Sequence, residues 1–306
     1  MVIPDVRLAS DARAMRRGPW RALLEAARPR QWTKNLIVFA PLVFAGDLLH
    51  LASLLRVGAA FVLFCLASAA VYLFNDARDA EADRRHPLKQ QRPVAAGRLA
   101  PGTALRASGL LALVALGAAA LLNPRLAAVL AGYGLLMAIY TLWLKRLVLL
   151  DVLAIAGGFV LRAAAGAVVI GVPLSLWLYA CTVLLSLFLG FGKRRHELAL
   201  LRVAAGAHRR NLDAYAPALL DRLIVLTAAA TILVYTLYTL AATTLPANHA
   251  MLLTVPLVLF GLGRYLYLVY AQGHGGAPER VLLEDWPLLL SVLLWGAAAI
   301  AVLYIF

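Results

Sequence analysis

Charge is scarce in this sequence. Asp, Glu, Lys and Arg supply 14% of its 306 residues, against about 25% in an average soluble domain. That scarcity excludes a soluble globular domain, and it equally excludes a disordered chain, which needs few apolar residues and much charge. Acids are scarcer still, 15 against 29 lysines and arginines. Cysteine occurs only at Cys65 and Cys181, each inside an apolar run, so there is no disulfide framework and no metal-type cysteine spacing. Strands of alternating apolar and polar residues are missing, which argues against a barrel. The first twenty residues lack an apolar core of the signal-peptide kind and read as a cytoplasmic tail. No low-complexity linker follows, so residues 1–306 are expected to form a single transmembrane domain with 1–34 as its N-terminal tail.

What is plentiful is apolar: 63% hydrophobic residues and a mean hydropathy of +0.83. A helix needs about 20 apolar residues to cross a bilayer. Nine stretches are candidates, roughly 35–50, 54–75, 104–122, 125–144, 149–171, 173–191, 218–243, 249–270 and 286–306. The expectation is an all-α polytopic membrane protein with nine helices around a central polar cavity open to the cytoplasm and to lipid.

Orientation follows from the basic residues, which favour the cytoplasmic side. Arg7, Arg13, Arg16, Arg17, Arg21, Arg28, Arg30 and Lys34 fill the tail. Arg78, Arg84, Arg85, Lys89, Arg92 and Arg98 follow span 2, Lys145 and Arg146 follow span 4, and Lys193, Arg194, Arg195, Arg202, Arg209 and Arg210 follow span 6. Only Arg56 and Arg125 fall on the other side. This predicts a multi-pass plasma-membrane protein with a cytoplasmic N-terminus and an outside C-terminus. The net charge of +14 is spent on this bias, and no nucleic-acid partner is expected. Pro19 to Ala27 suits a short amphipathic helix at the membrane surface, with Trp20 in the headgroup zone.

Two polar segments can carry chemistry. At the inner end of span 2, Asn75, Asp76, Arg78, Asp79, Glu81 and Asp83 stand within nine residues. If the helix runs on to Pro87, Asp76, Asp79 and Asp83 share a face. Clustered carboxylates repel unless a cation sits among them, and oxygen ligands of this kind suit Mg²⁺ bridging to substrate phosphates. At the inner end of span 6, Gly192-Lys193-Arg194-Arg195-His196-Glu197 sets one carboxylate beside three cations, a clamp for a polyanion. Span 5 carries Asp151 at its start and Arg162 in its middle, where an ionisable group is costly and faces an interior. Tyr140, Lys145, Lys34 and Asn35 lie at the same inner level. A pocket among them would join a soluble anion to a lipid. His86 and His196 are given no role. Ala163, Gly166 and Ala167 form a small-residue face that permits a homo-oligomer.

The Asn75-Asp76-Ala77-Arg78-Asp79 motif at the inner end of the second of nine spans resembles the UbiA-type superfamily of intramembrane prenyltransferases. That resemblance implies Mg²⁺ and diphosphate at Asn75, Asp76 and Asp79. The superfamily's second aspartate-rich motif, D-x-x-x-D, is replaced here by the Gly192–Glu197 run. The combination is similar to one branch, the decaprenyl-phosphate phosphoribosyltransferases. Residues Arg28 to Asn35, the run from Asn75 through Arg92 to Gly97, Tyr140, Lys145, Asp151, Lys193, Arg194 and Glu197 carry that likeness.

The branch implies transfer of 5-phosphoribose from phosphoribosyl diphosphate to a polyprenyl phosphate, feeding cell-wall arabinan. Asn75, Asp76, Asp79 and Glu197 would be catalytic, and Asp76, Asp79 and Asp83 would hold metal. Lys34, Asn35, Arg78, Lys89, Arg92, Tyr140, Lys145, Asp151, Arg162, Lys193 and Arg194 would bind substrate. Two alternatives stay open: prenyl transfer to an aromatic acceptor, and an anion or lipid transporter. The latter is expected to show two related halves, and no internal repeat is visible.

Overall fold

The computed structural model describes residues 19–86, 89–203, 216–273 and 276–305. Arg7, Arg13, Arg16, Arg17, Pro87, Arg209 and Arg210 lie outside them. The described residues form helices and connecting turns, with no strand among them. Helix α1 is Pro19–Ala27, followed by a 3₁₀ run Pro29–Phe39 that leads into α2, Ala40–Phe44. Then come α3 Leu51–Arg78, α4 Ala80–Arg85, α5 Pro101–Leu122, α6 Pro124–Leu142, α7 Leu150–Ile170, α8 Leu176–Val203 and α9 Pro217–Ala241. A 3₁₀ turn Ala250–Thr254 enters α10 Val255–Ala271, and α11 Pro278–Glu284 and α12 Trp286–Ile305 complete the fold.

Eight helices among the described residues are long and apolar enough to cross a membrane, and the protein is an integral membrane protein. The expected first span, 35–50, is not a long α-helix: the 3₁₀ run takes its place. A 3₁₀ helix rises about 2.0 Å per residue. The 11-residue run therefore reaches about 22 Å, and the five residues of α2 add about 7 Å. Together they match the roughly 30 Å hydrocarbon core with fewer residues than an α-helix needs.

Local chemistry sets the helix ends. Proline opens α5, α6, α9 and α11, where its missing N–H costs nothing. Asn123 Oδ1 caps α6 by accepting from Arg125 N at 2.9 Å. Asp285 Oδ1 accepts from Leu288 N at 2.9 Å, which caps α12, while Arg264 holds the same carboxylate at 3.1 and 2.8 Å.

Packing forms two main apolar clusters that share α7. Val38, Leu42, Phe64, Leu126, Leu130 and Tyr133 meet Ala165 and Val169 of α7 on one side. Phe188, Phe191, Leu220, Ile224, Leu262 and Tyr265 meet Val152 of α7 on the other. Leucines such as Leu110, Leu113 and Leu121 stay exposed, as lipid contact requires. The small-residue face of α7 is consumed inside the chain, which corrects its reading as an oligomer surface. Ala163 and Ala167 are buried, and a Cβ at Gly166 would stand 1.9 Å from the Val38 carbonyl oxygen. Glycine there lets the 3₁₀ run lie directly on α7.

Helix α1 forms as expected but docks on protein. Ala22 and Ala26 pack with Leu73, Ala80, Val94 and Leu99, and Arg98 holds Glu25 at 2.5 and 2.7 Å. Trp20 and Leu24 point outward.

Candidate active site

The aspartate-rich end of α3 is where the charges converge. The helix stops at Arg78, Asp79 leaves helical geometry with φ −96° and ψ 7°, and α4 restarts at Ala80. This break corrects the expected continuous helix and redirects the acids. Asp76, 1% exposed, is paired with Arg28 and lies 3.2 Å from Arg92 Nη1. The same guanidinium nitrogen lies 2.6 Å from Asp83 Oδ2. Asp79 instead faces Lys145, whose Nζ donates to both carboxylate oxygens at 2.5 and 2.6 Å. Asn75 Oδ1 accepts from Thr141 Oγ1 at 3.3 Å, which ties the motif to α6.

The second charged group hangs from the end of α8. Arg194, 1% exposed, lies 2.7 Å by its Nε from Asp151 Oδ2, pairs with Glu197 and donates to the Tyr140 hydroxyl at 3.5 Å. Asp151 therefore turns to α8 and not along its own helix toward Arg162. Lys34 Nζ donates to Gln31 Oε1 at 3.0 Å and lies 3.4 Å from Glu279 Oε2. Lys193 acts on both Lys34 and Glu279 through its charge.

Arg162 stands apart from this cluster. It lies eleven residues beyond Asp151, about 16 Å along α7. Its Nε donates to Asn35 Oδ1 at 2.7 Å, Nη1 to the Gly158 carbonyl at 2.9 Å and Nη2 to the Tyr133 hydroxyl at 2.9 Å. Tyr133, Phe159 and Phe64 place their rings against the guanidinium. The charge is 5% exposed and is solvated by neutral groups. Asn35, 0% exposed, is thus a second wall of that cage. Arg78 is exposed and pairs with none of the three aspartates. Lys89 is half-buried in the loop after α4 and, after burial itself, helps hold His86 below its ordinary pKa.

Sequence reasoning missed Arg28 and Glu279, which pair with Asp76 and Lys34. Arg28 carried one signal, its place just before Pro29, and in the fold it takes a left-handed φ of 53°. Such a conformation is rare for a residue with a side chain. Glu279 comes from α11, a helix with no long apolar run to announce it. Burial would raise its carboxyl pKa, but Lys34 and then Lys193 hold it below the ordinary carboxylate value.

Six cations (Arg28, Lys34, Arg92, Lys145, Lys193 and Arg194) therefore meet six carboxylates (Asp76, Asp79, Asp83, Asp151, Glu197 and Glu279). Their charges cancel, so a polyanionic ligand must displace acids from their cations or arrive with cations of its own. Among the described residues no group of three acid, His or Cys side chains gathers as a metal site. Yet Asp76 Oδ2 is buried without a hydrogen-bond partner, and an uncompensated carboxylate oxygen beside Asn75 and Asp79 fits a hard divalent cation.

The model of the UbiA prenyltransferase family matches residues 36–277. A decaprenyl-phosphate phosphoribosyltransferase of Mycolicibacterium smegmatis is 37% identical, covering 92% of this chain and 92% of its own. One from Corynebacterium glutamicum is 34% identical over 92% of this chain and 87% of its own. The solved structure of a UbiA homolog from Archaeoglobus fulgidus bound to DMAPP and Mg²⁺ superposes with a TM-score of 0.69 at 17% identity, over 93% of this chain and 99% of that one.

Proposed function

The chain belongs to the UbiA prenyltransferase family, and from that premise we propose that it transfers 5-phosphoribose from phosphoribosyl diphosphate to a polyprenyl phosphate and releases diphosphate. The product would be an activated pentose for cell-wall arabinan. The enzyme would sit in a bacterial plasma membrane as one domain, with its N-terminus and site on the cytoplasmic side and its C-terminus outside. One observation carries the reading. On α8 a single carboxylate, Glu197, pairs with Arg194 next to Lys193, where an aspartate-rich motif would have supplied two acids, and this supports a phosphate-rich donor.

The chemistry asks little acid–base work of the protein. The bond from ribose carbon 1 to diphosphate oxygen breaks, and a bond from carbon 1 to a lipid phosphate oxygen forms. The attacking oxygen is already anionic at neutral pH, so no proton needs removal. Carbon 1 gains oxocarbenium character on the way, as in glycoside chemistry. Arg28, Arg92 and Lys145 already hold carboxylates at charge-assisted distances and can hand those contacts to phosphate oxygens. Asn75, Asp76, Asp79 and Asp83 would hold Mg²⁺, which when bound offsets charge growing on the leaving diphosphate. Glu197 and Asp151 hold Arg194 between them.

Purified protein incubated with Mg²⁺, labelled phosphoribosyl diphosphate and decaprenyl phosphate should move label into the organic phase. Label recovered there only when a prenyl diphosphate and an aromatic acid are supplied would replace this reading with prenyl transfer.

A further inference from the structure

Four buried side-chain polar atoms have no hydrogen-bond partner among the described residues: Asp76 Oδ2, Arg194 Nε, Tyr265 Oη and Glu279 Oε2. The first belongs to the aspartate motif, and the second is in ion-pair contact with Asp151 at 2.7 Å. The other two, Tyr265 of α10 and Glu279 of α11, lie outside the motif, Glu279 in ion-pair contact with Lys34 at 3.4 Å. Unpaired buried polar groups are costly and rare. A polar ligand that reached Tyr265 and Glu279 would complete them.

Geometry places both groups beside the cationic cluster. Glu279 Oε2 forms an ion pair with Lys34 Nζ at 3.4 Å, longer than a close charge-assisted contact. A Cβ at Gly276 would come within 2.5 Å of the His196 ring, so the segment before α11 lies directly on the end of α8. Tyr265 Oη stands 3.5 Å from where a Cβ at Gly192 would be, next to Lys193. Glu279 thus faces Lys34 and Lys193, and Tyr265, beside Gly192, lies close enough to Glu279 to feel its charge.

The chemical class follows from charge. A carboxylate kept ionised by Lys34 and Lys193 accepts hydrogen bonds and repels phosphate. Its complement is a neutral group that donates. A phosphorylated ribosyl diphosphate has such groups only in its ring hydroxyls, and a prenyl diphosphate has none. We propose that Glu279, with Tyr265, binds the ribose hydroxyls of the donor and so selects a sugar diphosphate over a prenyl diphosphate. This rests on the phosphoribosyl-transfer reading.

The test compares phosphoribosyl diphosphate with its 2-deoxyribosyl counterpart on the full chain, with decaprenyl phosphate as acceptor. The wild type should prefer the ribosyl donor by about 100-fold in kcat/KM, since an unmatched buried acceptor discriminates strongly. Glu279→Gln and Glu279→Ala should compress that ratio to below about tenfold, mainly by losing the ribosyl substrate, and Tyr265→Phe should lower it by about threefold. Equal loss on both donors, leaving the ratio unchanged, is what a purely structural Lys34–Glu279 tie would give, and it overturns the proposal. If the Glu279 variants lose their unfolding transition in detergent, the Tyr265→Phe ratio decides, and an unchanged value overturns it. A wild type that transfers neither pentose overturns the transfer reading and this one with it.

Discussion

Lys145 holds both oxygens of Asp79 at 2.5 and 2.6 Å, and this pair ties the aspartate motif to the turn Leu144–Arg146 that follows α6. A divalent cation at Asp79 must compete with that ammonium. Lys145→Met should lower the Mg²⁺ concentration for half-maximal turnover about tenfold, equivalent to about 1.4 kcal/mol. Turnover at saturating metal should fall because a phosphate contact is lost. A metal titration of label transfer measures both, and an unchanged metal requirement would remove the competition.

Arg194 and Asp151 form the most enclosed ion pair, at 2% and 0% side-chain exposure. Arg194→Ala removes the guanidinium that Asp151 and Glu197 share, at a cost of about 3–5 kcal/mol. Adding Asp151→Asn should recover much of that loss. Unfolding temperatures in detergent check the pair of variants. Equal destabilisation in the single and double variants would mean that packing of the long side chain, not its charge, matters.

Arg162→Lys keeps a cation in the buried cage but loses the fixed fork that reaches Asn35, Gly158 and Tyr133 together. Stability should drop by about 2 kcal/mol. The Mg²⁺ requirement should stay at the wild-type value, because the cage lies about 16 Å along α7 from Asp151. A shifted metal requirement would place Arg162 in the phosphate site itself.

His86 lies in the loop between α4 and Lys89. Burial, then Lys89, lowers its pKa below the ordinary 6.5. The folded protein therefore binds this proton less well than the unfolded chain. Stability should be full above pH 6.5 and should decline as pH falls below it toward the lowered value. His86→Gln should flatten that decline in unfolding temperatures taken between pH 5 and pH 7. An identical slope in the variant would assign it to other groups.

Much of the architecture was legible because membrane crossing imposes a long apolar run. Eight of the expected spans appear, seven of them within a few residues of their predicted limits, while the sixth, 173–191, runs on to Ala199. The first did not, because Lys34 and Asn35 interrupt its apolar pattern and a 3₁₀ run does not repeat every 3.6 residues. The motif at Asn75–Asp79 was legible as a cluster of acids, but its cation partners were not. Arg92 is nine residues from Asp83, Lys145 is 66 from Asp79 and Arg28 is 48 from Asp76. Such pairings are set by tertiary packing, which helix periodicity does not encode. Glu279 was invisible for a related reason: a lone acid in a short loop helix has meaning only once Lys34 is known to face it.

Lys34 and Asn35 are neighbours in one 3₁₀ run, yet they serve different compartments of the molecule. The first reaches the charged mouth at Glu279 and the second reaches the guanidinium caged half-way through the bundle. With Gly166 pressing that run against α7, one rigid peptide unit bridges solvent-side chemistry and bilayer interior. A ligand that displaces the Lys34 ammonium therefore acts one residue away from the amide that holds the buried guanidinium.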